Sequence, residues 1–322
     1  MSKIKILLIA AISMIPSIHY GQHTDQINSN RPGETMSAFA VGKSVIQIET
    51  GIYGIKENHS LLNYDANGFG LDVTLRWGLF MEKLELIADL QYQHEEFTTL
   101  FNSTNRSALK QTVLGAKYLI YDPFKNYEKK IDVYSWKANR TFNWHQLIPA
   151  VSVFAGANFT MADNPYSFSP ESNISPKIML ITQNHLGDGS WVFVTNIIAD
   201  YVTTDFPSYG YVVTLTRGFN DKWSGFIENQ GFKSDFYSDA IVRGGAAYLL
   251  NKDMQIDASI STSLKNTPSV LYGGVGFSWR YDANYQEVRM SIDSGGNSQT
   301  KAEKKAKSKA NKKRKDEIET TP

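Results

Sequence analysis

The sequence predicts an all-β fold: a transmembrane, antiparallel, up-and-down β-barrel of about 12 strands, followed by a disordered or helical C-terminal tail. Three observations predict it. The chain opens with the layout of a secretory signal. Apolar and polar residues then alternate from about residue 44 to residue 281. Nowhere after the opening does an apolar run reach the roughly 18 residues that a membrane helix needs. Without helices, insertion into lipid has to use a closed sheet, because unpaired backbone groups are not tolerated in hydrocarbon.

The first element is the leader. Lys3 and Lys5 flank the start of an apolar run from Ile4 to Ile18, and small and polar residues follow near Gly21 and Gln22. That is the order of a signal peptide over 1–21, with the mature chain starting near Gln22. A membrane anchor is the alternative, but Ser13 and Pro16 interrupt the run and it is short for a hydrocarbon core of about 30 Å. There is no cysteine, which excludes a lipoprotein and a disulfide framework.

Residues 22–43 form a polar stretch expected to be either an N-terminal plug or a periplasmic segment. The barrel is expected over 44–281, with strands at 44–56, 67–78, 83–95, 107–120, 147–160, 174–186, 190–202, 208–218, 222–232, 238–250, 253–265 and 269–281. In the second strand Phe69, Leu71, Val73, Leu75, Trp77 and Leu79 share one face, while Gly70, Asp72, Thr74, Arg76 and Gly78 share the other. The third opposes Leu84, Leu86, Ala88 and Leu90 to Glu85, Asp89 and Gln91, and the eleventh repeats the pattern from Met254 to Leu264. Soluble sandwiches also alternate, so strand length decides. Globular strands usually have about 5–6 residues, whereas a tilted membrane strand needs about 9–11.

The connections are expected to alternate in length, short where the N-terminus lies and long on the other side. Residues 79–82, 187–189, 219–221 and 251–252 are tight, and the last three carry Gly, Asn or Asp. The stretches 57–66, 96–106 and 161–173 are longer and polar, and 121–146 is a long exception on the short side. Trp77, Trp191, Trp223 and Trp279, with Tyr281, fall at strand ends on the short-turn side, where interfacial aromatics belong. Those ends, and both termini, are expected to face the periplasm of an outer membrane. The last strand ends in aromatics, as does the signal read by a barrel assembly machinery.

Behind it, 282–322 is a basic tail. Between Lys301 and Lys315 there are nine Lys or Arg and one acidic residue; without them and the two leader lysines the rest of the chain has 22 basic residues against 31 acidic. Such a run is expected to be solvated, or to meet lipid head groups, cell-wall polymer or an acidic protein, and not nucleic acid. The expected partners are outer-membrane lipid, the assembly machinery, and other envelope proteins through 121–146 and 301–315. Six aromatics, Phe124, Tyr127, Tyr134, Trp136, Phe142 and Trp144, make 121–146 a candidate packing surface.

The wet face supplies the candidate site: Glu49, Asp72, Arg76, Glu85, Asp89, Lys117, Asp200, Glu228, Arg243 and Asp257. In a channel these would set solute preference; in a filled lumen they would pair with one another. Arg31 and Glu34 form either a plug that pairs with those walls or a surface turn at a strand entrance, with Pro32 and Gly33 as turn residues. Catalysis is not expected. Of six histidines none sits in a nucleophile or zinc spacing: His185 near Ser190 lies by a short turn, and His94 beside Glu95 and Glu96 lacks a second ligand. No metal and no cofactor are expected.

Asn30-Arg31-Pro32-Gly33-Glu34-Thr35, followed by Gln47-Ile48-Glu49-Thr50-Gly51, resembles the opening of the transporter-like MetA-pathway phenol-degradation family, which begins with an Asp-Arg-Pro box and a Gln-x-Glu-x-Gly first strand. Gly115-Ala116-Lys117-Tyr118, the strand of Glu228, and Gly244 to Tyr248 add to the resemblance, which runs over about 28–281; Asn30 stands where the family has Asp. It implies an outer-membrane barrel that takes up hydrophobic or aromatic compounds. The expected function is therefore a transporter-like barrel passing or binding small solutes without catalysis. The alternative is a non-conducting accessory barrel that anchors partners through its insert and tail.

Overall fold

The computed structural model describes residues 26–282 apart from 126, 128–133, 135–143, 162, 168–172, 188 and 236. The leader 1–21, the tail beyond residue 282 with Lys301–Lys315, and much of 121–146 lie outside the described residues. Twelve antiparallel strands close into one barrel in chain order, β12 returning to β1. They are β1 (Val45–His59), β2 (Tyr64–Gly78), β3 (Leu84–Thr99), β4 (Ser103–Tyr121), β5 (Ala150–Phe159), β6 (Ile174–Leu186), β7 (Trp191–Asp200), β8 (Ser208–Gly218), β9 (Trp223–Lys233), β10 (Ser238–Asn251), β11 (Met254–Ser263) and β12 (Ser269–Asp282). Closure leaves no edge strand, so every strand has a hydrogen-bonded neighbour on both sides.

Burial runs opposite to that of a soluble protein. Val275 is 61% exposed and Ile260 is 62% exposed, whereas Arg76, Glu85 and Lys117 are 0% exposed. A sheet whose oily side chains point outward and whose charges point inward is matched to lipid outside and a polar lumen inside. Register preserves this division across the seam: Ile48 pairs with Trp279 and with Leu75 on the outer face, and Glu49 pairs with Ser278 and with Thr74 on the inner face.

Because the strand number is even, residues 45 and 282 lie at one end of the barrel, here called proximal, and are register partners. All twelve expected strands are present, but the length rule for the connections is not. The expected loops 57–66 and 96–106 are four- and three-residue tips at 60–63 and 100–102, because β1 to β4 continue past the expected outer ends. Their ends carry polar residues on both faces, such as Glu57, Asn58, Glu95 and Glu96, which is what a hairpin meeting water on both sides requires. Residues 160–173 remain a long distal connection, fixed to the wall where Tyr166 donates to the carbonyls of Gln93 and Arg106, both at 3.2 Å.

On the proximal side 122–149 is long, as expected, and its described residues include a 3-10 turn from Trp144 to Leu147. Gln146 ties it to the β6–β7 turn through both the carbonyl and the amide of Gly187, at 2.5 and 3.1 Å. Phe124 packs edge-on against His185 of β6, ring centroids 5.3 Å apart.

Candidate functional site

Residues 26–44 have no regular secondary structure and lie against the inner wall. Irregular backbone at membrane depth is stable only where protein groups satisfy its amides and carbonyls. Here the walls supply them strand by strand. Gln26 accepts from Arg280 at 2.9 Å, Asn28 accepts from Gln47 at 3.1 Å and from Arg76 at 2.7 Å, and the Asn30 amide donates to Glu49 at 3.1 Å. Beyond the apex at Arg31–Glu34 the segment visits the strands in descending order. The Glu34 amide donates to Glu228 of β9 at 3.1 Å, and Thr35 meets Thr214 of β8. Met36 exchanges two bonds with Asn196 of β7, at 3.1 and 3.0 Å, and the Ala38 amide donates to Gln183 of β6 at 3.0 Å. The Ala38 carbonyl accepts from Ser152 of β5 at 2.5 Å, and those of Ser37 and Phe39 accept from Lys117 of β4 at 2.8 and 3.1 Å. The Val41 amide donates to Glu85 of β3 at 3.1 Å and the Ser44 amide to Gly78 of β2 at 2.8 Å, where β1 begins. The segment is thus a belt running round the inside of the barrel.

Three ionic clusters support it. Arg76 binds Glu49 at 3.0 Å and Glu85 at 2.6 Å, and Lys117 reaches Glu85 at 3.2 Å, so two cations face two carboxylates, all almost fully buried. At the apex Arg31 pairs with Asp72 and, at 3.3 Å, with Asp257. Arg243 pairs with Glu228 and, at 3.5 Å, with Glu34. Buried charges persist only when paired and hydrogen-bonded, and each cluster meets that condition while holding the belt.

Most of the expected polar residues therefore meet around one segment, and Arg31–Glu34 touch β1, β2, β9, β10 and β11 instead of forming a surface turn. Two expected members stand apart. Asp200 sits at the distal end of β7, bonded to Lys177 at 3.2 Å and Asn158 at 2.5 Å, away from the belt, because the loop after β7 begins there. Asp89 accepts from Thr74 at 3.1 Å and Gln111 at 3.3 Å and has no basic partner among the described residues. Glu34 contributes chiefly its backbone, its carboxylate being half-exposed.

Neutral wall residues were not among the expected site: Gln47, Ser152, Gln183, Asn196, Thr214, Gln255 and Ser278. They occupy the same wet-face positions as the charged ones, and that periodic placement was the available signal. Also unforeseen is the notch for Arg31. Gly51 and Gly276 are register partners on β1 and β12, and a Cβ at either would overlap the Arg31 guanidinium.

The belt and its apex leave two cavities. The proximal one, about 840 Å³, lies between Ile27–Gly33 and the inner ends of β6 to β11, with Phe39, Phe124, Val192, Val194 and Phe226 among its walls. The distal one, about 410 Å³, is bounded by Tyr53, Asp72, Asp89, Arg243, Ser261 and Tyr272, among others. Asn30, Arg31, Pro32 and Gly33 line both, so the apex is the partition. An apolar cluster around Ala38, including Ile87, Phe154, Met179, Ile181 and Val194, fills the lumen on the β3–β7 side.

The expected interface aromatics lie at the proximal ends of their strands. Trp77, Trp223 and Tyr281 are exposed on the outer face, Trp191 and Trp279 are half-buried, and Arg217 stacks on Trp191 at 4.9 Å. On the distal side, burial pushes the Tyr166 phenol up to about 12. Tyr237 is raised as well, by burial first and then by its bond to Asp239. Among the described residues no group of His, Cys, Asp and Glu has metal-site geometry.

A closed sheet with an inverted hydropathy pattern and an internally bonded lumen defines the class: a transmembrane β-barrel of the outer-membrane kind. The chain belongs to the family described as Putative MetA-pathway of phenol degradation, whose model matches residues 29–281, the belt included. Among solved structures it is similar to an outer membrane channel from Pseudomonas putida F1, at 10% identity and a TM-score of 0.51, over 80% of this chain and 100% of that one. The CymD monoaromatic hydrocarbon channel gives 9% identity and a TM-score of 0.41, over 76% of this chain and 90% of that one. The translocator domain of autotransporter NalP from Neisseria meningitidis gives 10% and 0.44, over 74% of this chain and 89% of that one. At these identities the likeness concerns the fold. No curated protein sequence matches the chain.

Proposed function

We propose that the protein is a non-catalytic solute channel of the outer membrane, its proximal end in the periplasm, in which the belt and its apex form a plug that controls passage. The observation that carries this is the pair of cavities, about 840 and 410 Å³, meeting at Asn30–Gly33. A barrel built only as an inert anchor would gain stability from filling that space with side chains. Two chambers of small-molecule size separated by a single turn instead suit stepwise passage. Family membership is in keeping with small, apolar solutes, and the apolar side chains of the proximal chamber suit them too.

Conductance in a planar bilayer tests this. The intact chain is expected to show small, stable open states that persist when residues 283–322 are removed, and removal of 22–40 should raise the conductance several-fold. Silence of both the intact chain and the chain lacking 22–40 overturns the proposal. Silence would favour the second reading, an accessory barrel that holds envelope partners through the proximal connection, where Tyr134 and Trp144 are exposed.

A further inference from the structure

We infer that the distal chamber binds a small organic cation, a primary ammonium carried on a compact aromatic body. The inference rests on the lumen being a solute path, as proposed above, and names the solute class for its outer half.

Charge comes first. Arg31 is shared between Asp72 and Asp257, and Arg243 between Glu34 and Glu228, so each guanidinium faces two carboxylates. Asp89 adds a further carboxylate with only a hydroxyl and an amide donating to it. Lys110 is the remaining cation among the lining residues, so with Asp257 and Glu228, the ion-pair partners behind the wall, five carboxylates stand against three cations. The balanced Arg76 and Lys117 cluster does not change this excess of negative charge. Enclosed in low-dielectric walls, that excess draws a cation and repels an anion.

Hydrogen bonding is the second, independent observation. Ser261 is 2% exposed, lines the chamber, and its hydroxyl has no hydrogen-bond partner among the described residues. A buried polar atom without a partner calls for one, and here the hydroxyl oxygen can accept from a donor group of a solute held in the chamber. Aromatic character is the third. Tyr53 and Tyr272 form an edge-to-face pair at 5.9 Å within the chamber, and Lys110 reaches across the lumen to hold its own ammonium 5.7 Å from the Tyr272 ring. The rings thus already take up a cation, and their faces suit a flat apolar body beside it. A neutral hydrocarbon would strip water from these carboxylates and return no hydrogen bond.

The test is calorimetric titration of the intact chain in detergent micelles with three probes that share one ring and differ in charge: tyramine, p-cresol and 4-hydroxyphenylacetate. Tyramine is expected to bind about tenfold or more tightly than either of the others, as a charge-assisted bond to Asp89 implies. D89N should erase that margin and leave p-cresol within about twofold, and S261A should weaken tyramine by roughly threefold. Equal binding of the three probes, tighter binding of 4-hydroxyphenylacetate, or an unchanged margin in D89N overturns the inference. Where D89N gives no folded, heat-modifiable band, the wild-type probe series and S261A decide. The two proposals fail separately: conductance with no charge preference among the probes overturns this one alone, and tyramine binding to a silent barrel overturns the channel alone.

Discussion

Replacing Arg76 by Met is the sharpest test of how the belt is held. The guanidinium is fully buried and makes three kinds of contact: Glu49 at 3.0 Å, Glu85 at 2.6 Å, and the Asn28 carbonyl at 2.7 Å. Met fills a similar volume and supplies none of them. Glu85 keeps Lys117 at 3.2 Å and the Val41 amide at 3.1 Å, so it remains an ion in a pair. Glu49 keeps only the amide of Gln47 at 2.6 Å and the Asn30 backbone at 3.1 Å, and is left as a buried carboxylate without a cation. Breaking a buried pair from one side costs about 3–5 kcal/mol, mostly the penalty of the stranded partner. With a urea slope of about 2 kcal/mol per molar, the unfolding midpoint should fall by roughly 2 M. The assay is urea unfolding of the barrel in lipid nanodiscs, followed by tryptophan emission and by the gel shift of the folded band. Glu49→Gln added to the same chain should recover more than half of the loss, since it removes the stranded charge. A stability for Arg76→Met within about 0.5 kcal/mol of the wild type, a midpoint shift of no more than about 0.25 M, would refute the reasoning, because the cluster would then hold nothing.

Three further outcomes follow from the same geometry. Gly276→Ala puts a methyl group where the Arg31 guanidinium lies, so it should release the apex from Asp72 and Asp257 and raise conductance, as Arg31→Ala should, at a cost in stability from the buried Asp257 carboxylate left without its cation. The Tyr166 phenol titrates at about 12 in the folded chain against 10.0 in the free group, so what it adds is intact below pH 10 and fades as pH rises through about 12. Proteolysis of the 160–173 connection should accelerate over that window, and in Tyr166→Phe it should already be fast at neutral pH. Tryptophan emission in lipid should be quenched more strongly by bromine near the head groups than at mid-chain, because Trp77, Trp191, Trp223 and Trp279 all sit at the proximal strand ends; the reverse order would contradict that placement.

The strands could be read from the sequence because each one separates two solvents, and the separation marks every second residue. Leu71, Val73, Leu75 and Trp77 have to dissolve in lipid, and Asp72, Thr74 and Arg76 have to avoid it, so period two survives over the whole membrane-crossing length. Where β1 to β4 pass beyond the lipid both faces meet water, and the pattern that marked the strand disappears while the strand continues. That is why 57–66 and 96–106 read as loops. The charged lumen residues were legible by the same rule, but their partners were not: Arg76 meets Glu85 across a strand pair, whereas Arg31 meets Asp257 across most of the chain. The neutral side chains that hold the belt carry no charge pattern to single them out from other wet-face residues. The Gly51–Gly276 notch depends on closure of β12 onto β1, which no local stretch encodes.

The belt is not uniform, and the difference bears on what can move. From Met36 to Val41 it is gripped on one side by amides, hydroxyls and the buried Lys117–Glu85 pair, and on the other by the apolar cluster around Phe154 and Ile181. Moving it would empty packed volume and strand several backbone groups at once, so this arc behaves as wall. The apex has neither support. Arg31 to Gly33 borders a cavity on each side, its main ties are ionic, and the Arg31 Nε has no partner among the described residues. Ionic contacts bordering cavities can be replaced by contacts to water or to a charged solute, whereas apolar packing lost to a shift has no such substitute. A solute that competes for Asp72 or Asp257 therefore acts on the weakest arc of the belt. On this account selectivity and opening belong to the same few residues, and the remainder of the segment is the frame that lets one turn move without the barrel.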